Sequence, residues 1–289
     1  MSLTLTLPLI AALVVELATL LSFTEPHLWR WGVGTLYLVV LVPCLIVALR
    51  HRSTKLTPWH WSEYAVALAT VGAWVAVRFH AWDLARIWLD EYTQFHGSVL
   101  NPHPTQLAPY QQQPPGSYIL MQFMGMLCGP TLLAIRLTGW LPALGSVLLL
   151  LAWARRVGGV AALLPLGAYL VWDPHLIYHS LEGRSVGLGM FWVAYSLNAG
   201  DLYLRRGDRA SLCGWGAGIF LTLMSTGLQG AILPAAMVGA CLIIGLVCRD
   251  RELLRLGGMG VLAGALFLPV QIRNVWVATE IGYLGKPEI

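Results

Sequence analysis

The chain has 289 residues, of which 57% are hydrophobic and only 11% are charged. Soluble domains carry about 25% charged residues, so this composition excludes an ordinary soluble enzyme and indicates an integral membrane protein. The net charge of +4 says little about nucleic acid, and no nucleic-acid partner is expected. The apolar runs are continuous rather than alternating, which favours helices over the strands of a membrane barrel.

Apolar runs follow one another along the chain and predict an all-α bundle of about nine membrane spans. In chain order they cover residues 4–22, 31–49, 62–80, 132–154, 159–172, 184–200, 210–227, 229–247 and 255–272. The chain is thereby divided into two extra N-terminal helices within residues 1–61, a membrane module over 62–272 and an external C-terminal tail over 273–289.

Lysine and arginine cluster beside four of the predicted spans. The clusters are Arg50, Arg52 and Lys55; Arg155 and Arg156; Arg205, Arg206 and Arg209; and Arg249, Arg251 and Arg255. Basic residues next to spans favour the cytoplasmic side, so all four clusters are predicted to face inward. The resulting prediction is a multi-pass protein of a bacterial inner membrane, with its N-terminus inside and its C-terminus outside. The loop 81–116 and the segment 173–183 then face outward.

The apolar stretch 117–128 is predicted to lie at the outer face without crossing the membrane. It offers only about 12 residues before Gly129-Pro130, too few for a hydrocarbon layer of ~30 Å. The preceding Pro114-Pro115 suits a helix start. The alternative is one ordinary span from 117 to 136.

The loop 81–116 carries the adjacent carboxylates Asp90 and Glu91. Charge beside a bilayer is costly, so this pair favours contact with a cation, a proton or a substrate. One carboxylate can take a proton while the other binds a divalent cation, and oxygen ligands suit Mg²⁺ or Mn²⁺. His96 in the same loop is a candidate for a further ligand or a proton relay. The alternative is a solvated acidic turn.

A second charged segment, Asp173–Arg184, lies on the same predicted side. Glu182 and Arg184 stand where an apolar helix begins, and an arginine there can bind a phosphate through two parallel hydrogen bonds. The alternative is a Glu–Arg pair that extends to the membrane interface. Two charged segments on one side favour a shared outward-facing site.

Five motifs, in this order, resemble the membrane glycosyltransferases of the GT-C fold, which include the protein O-mannosyltransferases, the aminoarabinose transferases of lipid A and the oligosaccharyltransferases. That superfamily has an external Asp-Glu loop, a proline-rich start to a juxtamembrane helix, an Arg-Leu helix start, a basic end to that helix, and a Pro-x-x-Ile-Tyr-x-Ser-x-Glu-x-Arg segment. The matching residues here are Leu89–Tyr92, Gln113–Leu120, Arg136–Leu137, Ala154–Gly158 and Pro174–Arg184.

The resemblance implies a polyprenyl-phosphate-linked sugar as donor and a lipid, glycan or protein as acceptor. Asp90 would be the catalytic base or a metal ligand, and Glu91 would assist it. Arg184, oriented by Glu182, would bind the lipid phosphate that leaves. Further candidates for substrate binding are Tyr92, His96, Gln113 and Tyr178.

Two departures from the superfamily pattern support an alternative function. Leu181 replaces a common arginine, and Ser225–Gln229 stands where a histidine motif is often found. The alternative is a non-catalytic subunit derived from this fold, or a module whose site is completed by another membrane subunit. A transporter would need charged residues within several spans, and only Glu16 lies deep in one.

Overall fold

The computed structural model describes residues 58–82, 95, 115–183, 185–226 and 230–280. Across these residues the chain is all-helical, with eight helices and no strand, which confirms the all-α prediction. The helices are α1 (Trp61–Ala81), α2 (Pro115–Cys128), α3 (Leu132–Trp172), α4 (Pro174–Leu181), α5 (Ser185–Arg206), α6 (Arg209–Thr226), α7 (Ile232–Val247) and α8 (Arg251–Glu280). The predicted spans 4–22 and 31–49 lie outside the described residues.

Three of these helices are long and apolar enough to cross a membrane: α1, α3 and the Arg251–Ile272 part of α8. Helices α2 and α7 are apolar but shorter. The apolar part of α8 ends at Ile272, as predicted for the last span, and the helix itself continues to Glu280 into the segment predicted as an external tail. No glycine or proline interrupts residues 273–280, so nothing in the sequence ends the helix there.

Helix α3 is two antiparallel segments joined by a glycine turn. Gly158 and Gly159 leave helical geometry, and Gly159 has φ of 57°, which glycine adopts without a steric penalty. Before the turn, Arg155 contacts Glu63 at the start of α1. After the turn, the carbonyls of residues 170 and 171 accept hydrogen bonds from Arg78 near the end of α1. The chain therefore reverses at the place where the sequence separates the runs 132–154 and 159–172.

The other long helices also pair as antiparallel hairpins. Helices α5 and α6 turn at Gly207, with Gly200 against Trp215 near the turn and Gly189 against Thr226 at the far end. Helices α7 and α8 pair likewise, through Gly245 against Leu254 and Gly260 against Val238. A core of aromatic and aliphatic side chains joins α5, α6 and α8, and includes Trp192, Trp215, Ile219 and Phe267.

These pairings give the bundle two distinct ends. The basic end contains the start of α1 and the three turns at 158–159, 207 and 249, and it therefore collects the clusters at Arg155, Arg205 and Arg249. The α4 end contains α4 itself, the end of α1, and the starts of α3 and α5.

Ion pairs between helices hold the basic end together. Arg155 lies 3.2 Å from Glu63, and Arg156 lies 2.8 Å from Asp201. Asp201 also binds Arg205 at 2.7 Å. The side chains of Arg155 and Arg156 are only 6% and 9% exposed, so these two arginines join α3 to α1 and α5 in addition to marking the end of a run.

Replacing Asp201 with asparagine is expected to lower the free energy of unfolding by roughly 1–3 kcal/mol, because it leaves the poorly exposed Arg156 without its carboxylate. Reversible unfolding in detergent would measure this loss. The matched control is Asp250→Asn, since Asp250 is an exposed helix cap at the same end. Equal stability of the two variants would contradict the structural role of Asp201.

Helix α2 begins and ends at the α4 end. Its first turn places Gly116 against Met224 and Ser225 at the end of α6. Further along, Met121 and Met124 pack in the apolar cluster that also contains the start of α3. A helix of 14 residues spans only ~21 Å. Its exposed side is apolar as well, with Phe123, Met126 and Leu127 on the surface.

Candidate functional site

Helix α4 is a short helix with strong local signals at its start. Asp173 caps it by accepting a hydrogen bond from the backbone N–H of Leu176 at 2.9 Å, and Pro174 occupies the first turn. Proline suits this position because its missing N–H would have no intrahelical partner there. The helix ends at Leu181, and the backbone N–H of the capping residue Glu182 donates to the Tyr178 carbonyl. The segment 173–183, predicted only as an external connection, is thus mostly one ordered helix.

Arg78 of α1 holds the last turn of α3 and the end of α4. Its guanidinium donates to the carbonyls of Val171 at 2.7 Å and Leu170 at 2.9 Å, and to the Ser180 hydroxyl at 3.2 Å. It also lies over the Trp74 ring, 4.6 Å from the centroid. The residue is fully buried. The last carbonyls of a helix lack intrahelical partners, and a cation there also matches the helix dipole.

Arg136 of α3 holds the end of α4 from the other side. It is 1% exposed, and its Nη1 donates to the Leu181 carbonyl at 2.6 Å. The sequence placed Arg136 only within a family motif and assigned it no function. Two always-charged guanidiniums therefore lie beneath one eight-residue helix.

The chain after α4 lies directly on the backbone of α3, because three glycines allow close contact. A Cβ on Gly139 would collide with the carbonyl of Glu182, and one on Gly183 would lie 2.7 Å from the Ile135 carbonyl. One on Gly187 would lie 2.5 Å from the Gly139 carbonyl. We call this contact the glycine seam. It fixes the position of Glu182 and the start of α5.

A histidine–carboxylate pair lies above the glycine seam. His179 Nδ1 is 2.8 Å from Glu182 Oε2, one turn apart on the chain. The Glu182 side chain is 5% exposed and that of His179 is 37% exposed. The ring of Tyr178 packs edge-on against His179, with centroids 5.2 Å apart. The arrangement is a buried carboxylate that orients a surface imidazole.

Of the residues singled out in the sequence, the structure describes Glu182 and Tyr178 and brings both to the α4 end. The other candidates lie outside the described residues: Asp90, Glu91, Tyr92, His96, Gln113, Arg184 and Glu16. Sequence reasoning missed His179, although histidine and glutamate three residues apart lie on one face of a helix. It also missed Arg136, whose signal was a single arginine in an apolar run.

Within the described ranges no group of three or more histidine, cysteine or acidic side chains could hold a metal ion. The predicted Mg²⁺ or Mn²⁺ ligand, Asp90, lies outside those ranges, so the metal site stays a prediction.

Comparison with protein-family models, characterised proteins and solved structures finds no match to this chain.

Proposed function

We propose that this chain is a multi-pass membrane glycosyltransferase of the GT-C type, which uses a polyprenyl-phosphate-linked sugar at the outer face of a bacterial inner membrane. The observation that carries the proposal is the position of Glu182. This carboxylate is buried at the end of the bundle where α2 also lies. Two segments that resemble separate superfamily motifs, the proline-rich helix start and the Pro174–Arg184 segment, thus share one end.

The distribution of charge agrees with this orientation. The structure describes three of the four basic clusters, and their members lie at or beside the opposite end of the bundle. That end would face the cytoplasm under the positive-inside rule. The α4 end would then face outward with the loop 81–116. The N-terminus would be inside and the C-terminus outside, and the two helices within residues 1–61 would bring the total to about nine spans.

In the proposed inverting reaction, a hydroxyl of the acceptor attacks the anomeric carbon of the sugar. Its proton passes to Asp90, and the bond between the sugar and the phosphate oxygen breaks. Arg184, which directly follows Gly183 in the sequence, would bind the phosphate as negative charge develops on it. Glu91 would assist Asp90. If Asp90 serves instead as a ligand for Mg²⁺ or Mn²⁺, a chelator would abolish turnover by the wild-type chain.

The test is turnover of a polyprenyl-phosphate mannose by the purified chain in lipid nanodiscs that also contain a hydroxyl-bearing lipid as acceptor, measured as released polyprenyl phosphate. Asp90→Asn is expected to reduce turnover by about 100-fold or more, because the amide cannot accept the proton. Asp250→Asn at the basic end is the matched control and should retain activity. Circular dichroism should show unchanged helix content in both variants.

Normal turnover by Asp90→Asn would contradict the assignment. A wild-type chain without turnover that co-purifies with another membrane subunit would support the alternative, a non-catalytic subunit of GT-C origin.

A further inference from the structure

The pair of His179 and Glu182 is built on a rigid base. Arg78 donates to the Ser180 hydroxyl, and Arg136 donates to the Leu181 carbonyl. These two residues are the whole of the chain between His179 and Glu182. The glycine seam then holds the Glu182 backbone against α3. This backbone cannot shift without breaking buried contacts, and the 2.8 Å hydrogen bond to Glu182 orients the imidazole on it.

Glu182 decides which ring nitrogen of His179 faces outward. An ionised carboxylate only accepts hydrogen bonds, so Nδ1 of His179 must donate to it. The remaining nitrogen, Nε2, has no hydrogen-bond partner among the described residues. In the protonated ring Nε2 is a second N–H donor with a positive charge, which suits an anion.

The surrounding charges favour an anion over a cation. Arg78 and Arg136 donate to Ser180 and Leu181, the two residues that follow His179. Glu182 and Asp173, at the two ends of α4, provide two opposing carboxylates. Among the described residues these four charges cancel, so a positive charge on the His179 ring would not be neutralised by a further described carboxylate. A metal cation at Nε2 would add positive charge beside the two permanently charged guanidiniums. The negative charge of a phosphate would instead be attracted by a protonated imidazole.

We propose that His179 is a phosphate-binding residue and that Glu182 is its positioning residue. The ligand is the phosphate of the polyprenyl-phosphate donor, which His179 Nε2 contacts through a charge-assisted hydrogen bond. The identity of this ligand rests on the proposed function. The role differs from that of Arg184, because it depends on a protonated ring held by a buried carboxylate.

The experiment measures binding of a long-chain polyprenyl phosphate to the full chain by native mass spectrometry at pH 6. His179→Gln is the test variant, because its amide can still donate to Glu182 but carries no charge. It is expected to weaken binding about tenfold or more through loss of the charge-assisted bond. His175→Gln, an exposed residue of the same helix, is the matched control and should bind as the wild type does. Polyprenol without a phosphate should bind the wild type and His179→Gln equally.

A second arm uses inorganic phosphate as competitor. Displacement of the lipid from the wild type at a lower phosphate concentration than from His179→Gln would show that His179 recognises the headgroup; displacement of both at the same concentration would contradict its role. Glu182→Gln should weaken binding in the wild type and have no further effect in the His179→Gln background, and additive losses would overturn the positioning role.

The two proposals fail differently. If the wild type binds polyprenyl phosphate and His179→Gln binds it equally well, only the role of His179 is wrong. If the wild type binds no polyprenyl phosphate, the proposed function fails and takes this inference with it.

Discussion

Replacing Gly139 with alanine is expected to destabilise the fold by roughly 3 kcal/mol, the upper range for overpacking a core. The added methyl would meet the backbone carbonyl of Glu182, closer than real Cβ atoms approach. A flexible side chain could move aside, but a carbonyl held by the glycine seam and by the end of α4 cannot. The variant must therefore separate α3 from the chain that carries Glu182.

Gly72→Ala is the matched control for this prediction. Gly72 also lies inside an apolar helix, α1, but nothing lies within 4 Å of the Cβ that alanine would add. Alanine is the better helix former, so this variant should keep or gain up to about 1 kcal/mol. Unfolding in sodium dodecyl sulfate, followed by circular dichroism, measures both. Similar stability of the two variants would show that the glycine seam is not closed in solution.

Replacing Arg78 with methionine is expected to cost roughly 3 kcal/mol or more. The substitution retains apolar volume but removes all three donated hydrogen bonds. The carbonyls of Leu170 and Val171 would remain buried at the end of a helix without their donor, and each such group costs about 1–3 kcal/mol. Arg78→Lys should recover only part of the loss, because a single ammonium cannot reproduce the planar fork of a guanidinium.

The control for Arg78 is Arg255→Met. Arg255 is 61% exposed and pairs with Glu252 on the surface of α8, and exposed pairs of this kind contribute little. The melting temperature of the Arg255→Met variant in detergent should stay near that of the wild type. An Arg78→Met protein that melts with the wild type would mean that the buried hydrogen bonds are replaced, and the assigned role of Arg78 would be wrong.

Local patterns in the sequence predicted much of the helical architecture. Continuous apolar runs required helices, because a bilayer leaves no partner for unpaired backbone groups. Residues 155–158 separated the predicted spans 132–154 and 159–172, and the structure reverses direction there, at Gly158 and Gly159. The positions of Arg155, Arg205 and Arg249 beside run ends were enough to place them toward one end of the bundle.

The same patterns could not show what each polar side chain contacts. Arg78 and Arg255 both lie in predicted spans, yet one is fully buried beneath α4 and the other is exposed. Gly139 and Gly72 are both helical glycines, but only Gly139 faces another backbone. Those differences depend on which helix lies alongside, and helix pairing depends on contacts between residues far apart in sequence.

The sequence by itself determined that the chain is helical, apolar and divided by charge into two ends, because hydrophobicity and charge act through local composition. Only the tertiary structure decided that Arg78 and Arg136 donate hydrogen bonds to the end of α4 and that Gly139 lets the Glu182 backbone pack against α3. It also decided that Glu182 orients His179. Each of these contacts joins separate helices or depends on burial. Burial changes the energy of a polar group by more than any local preference does.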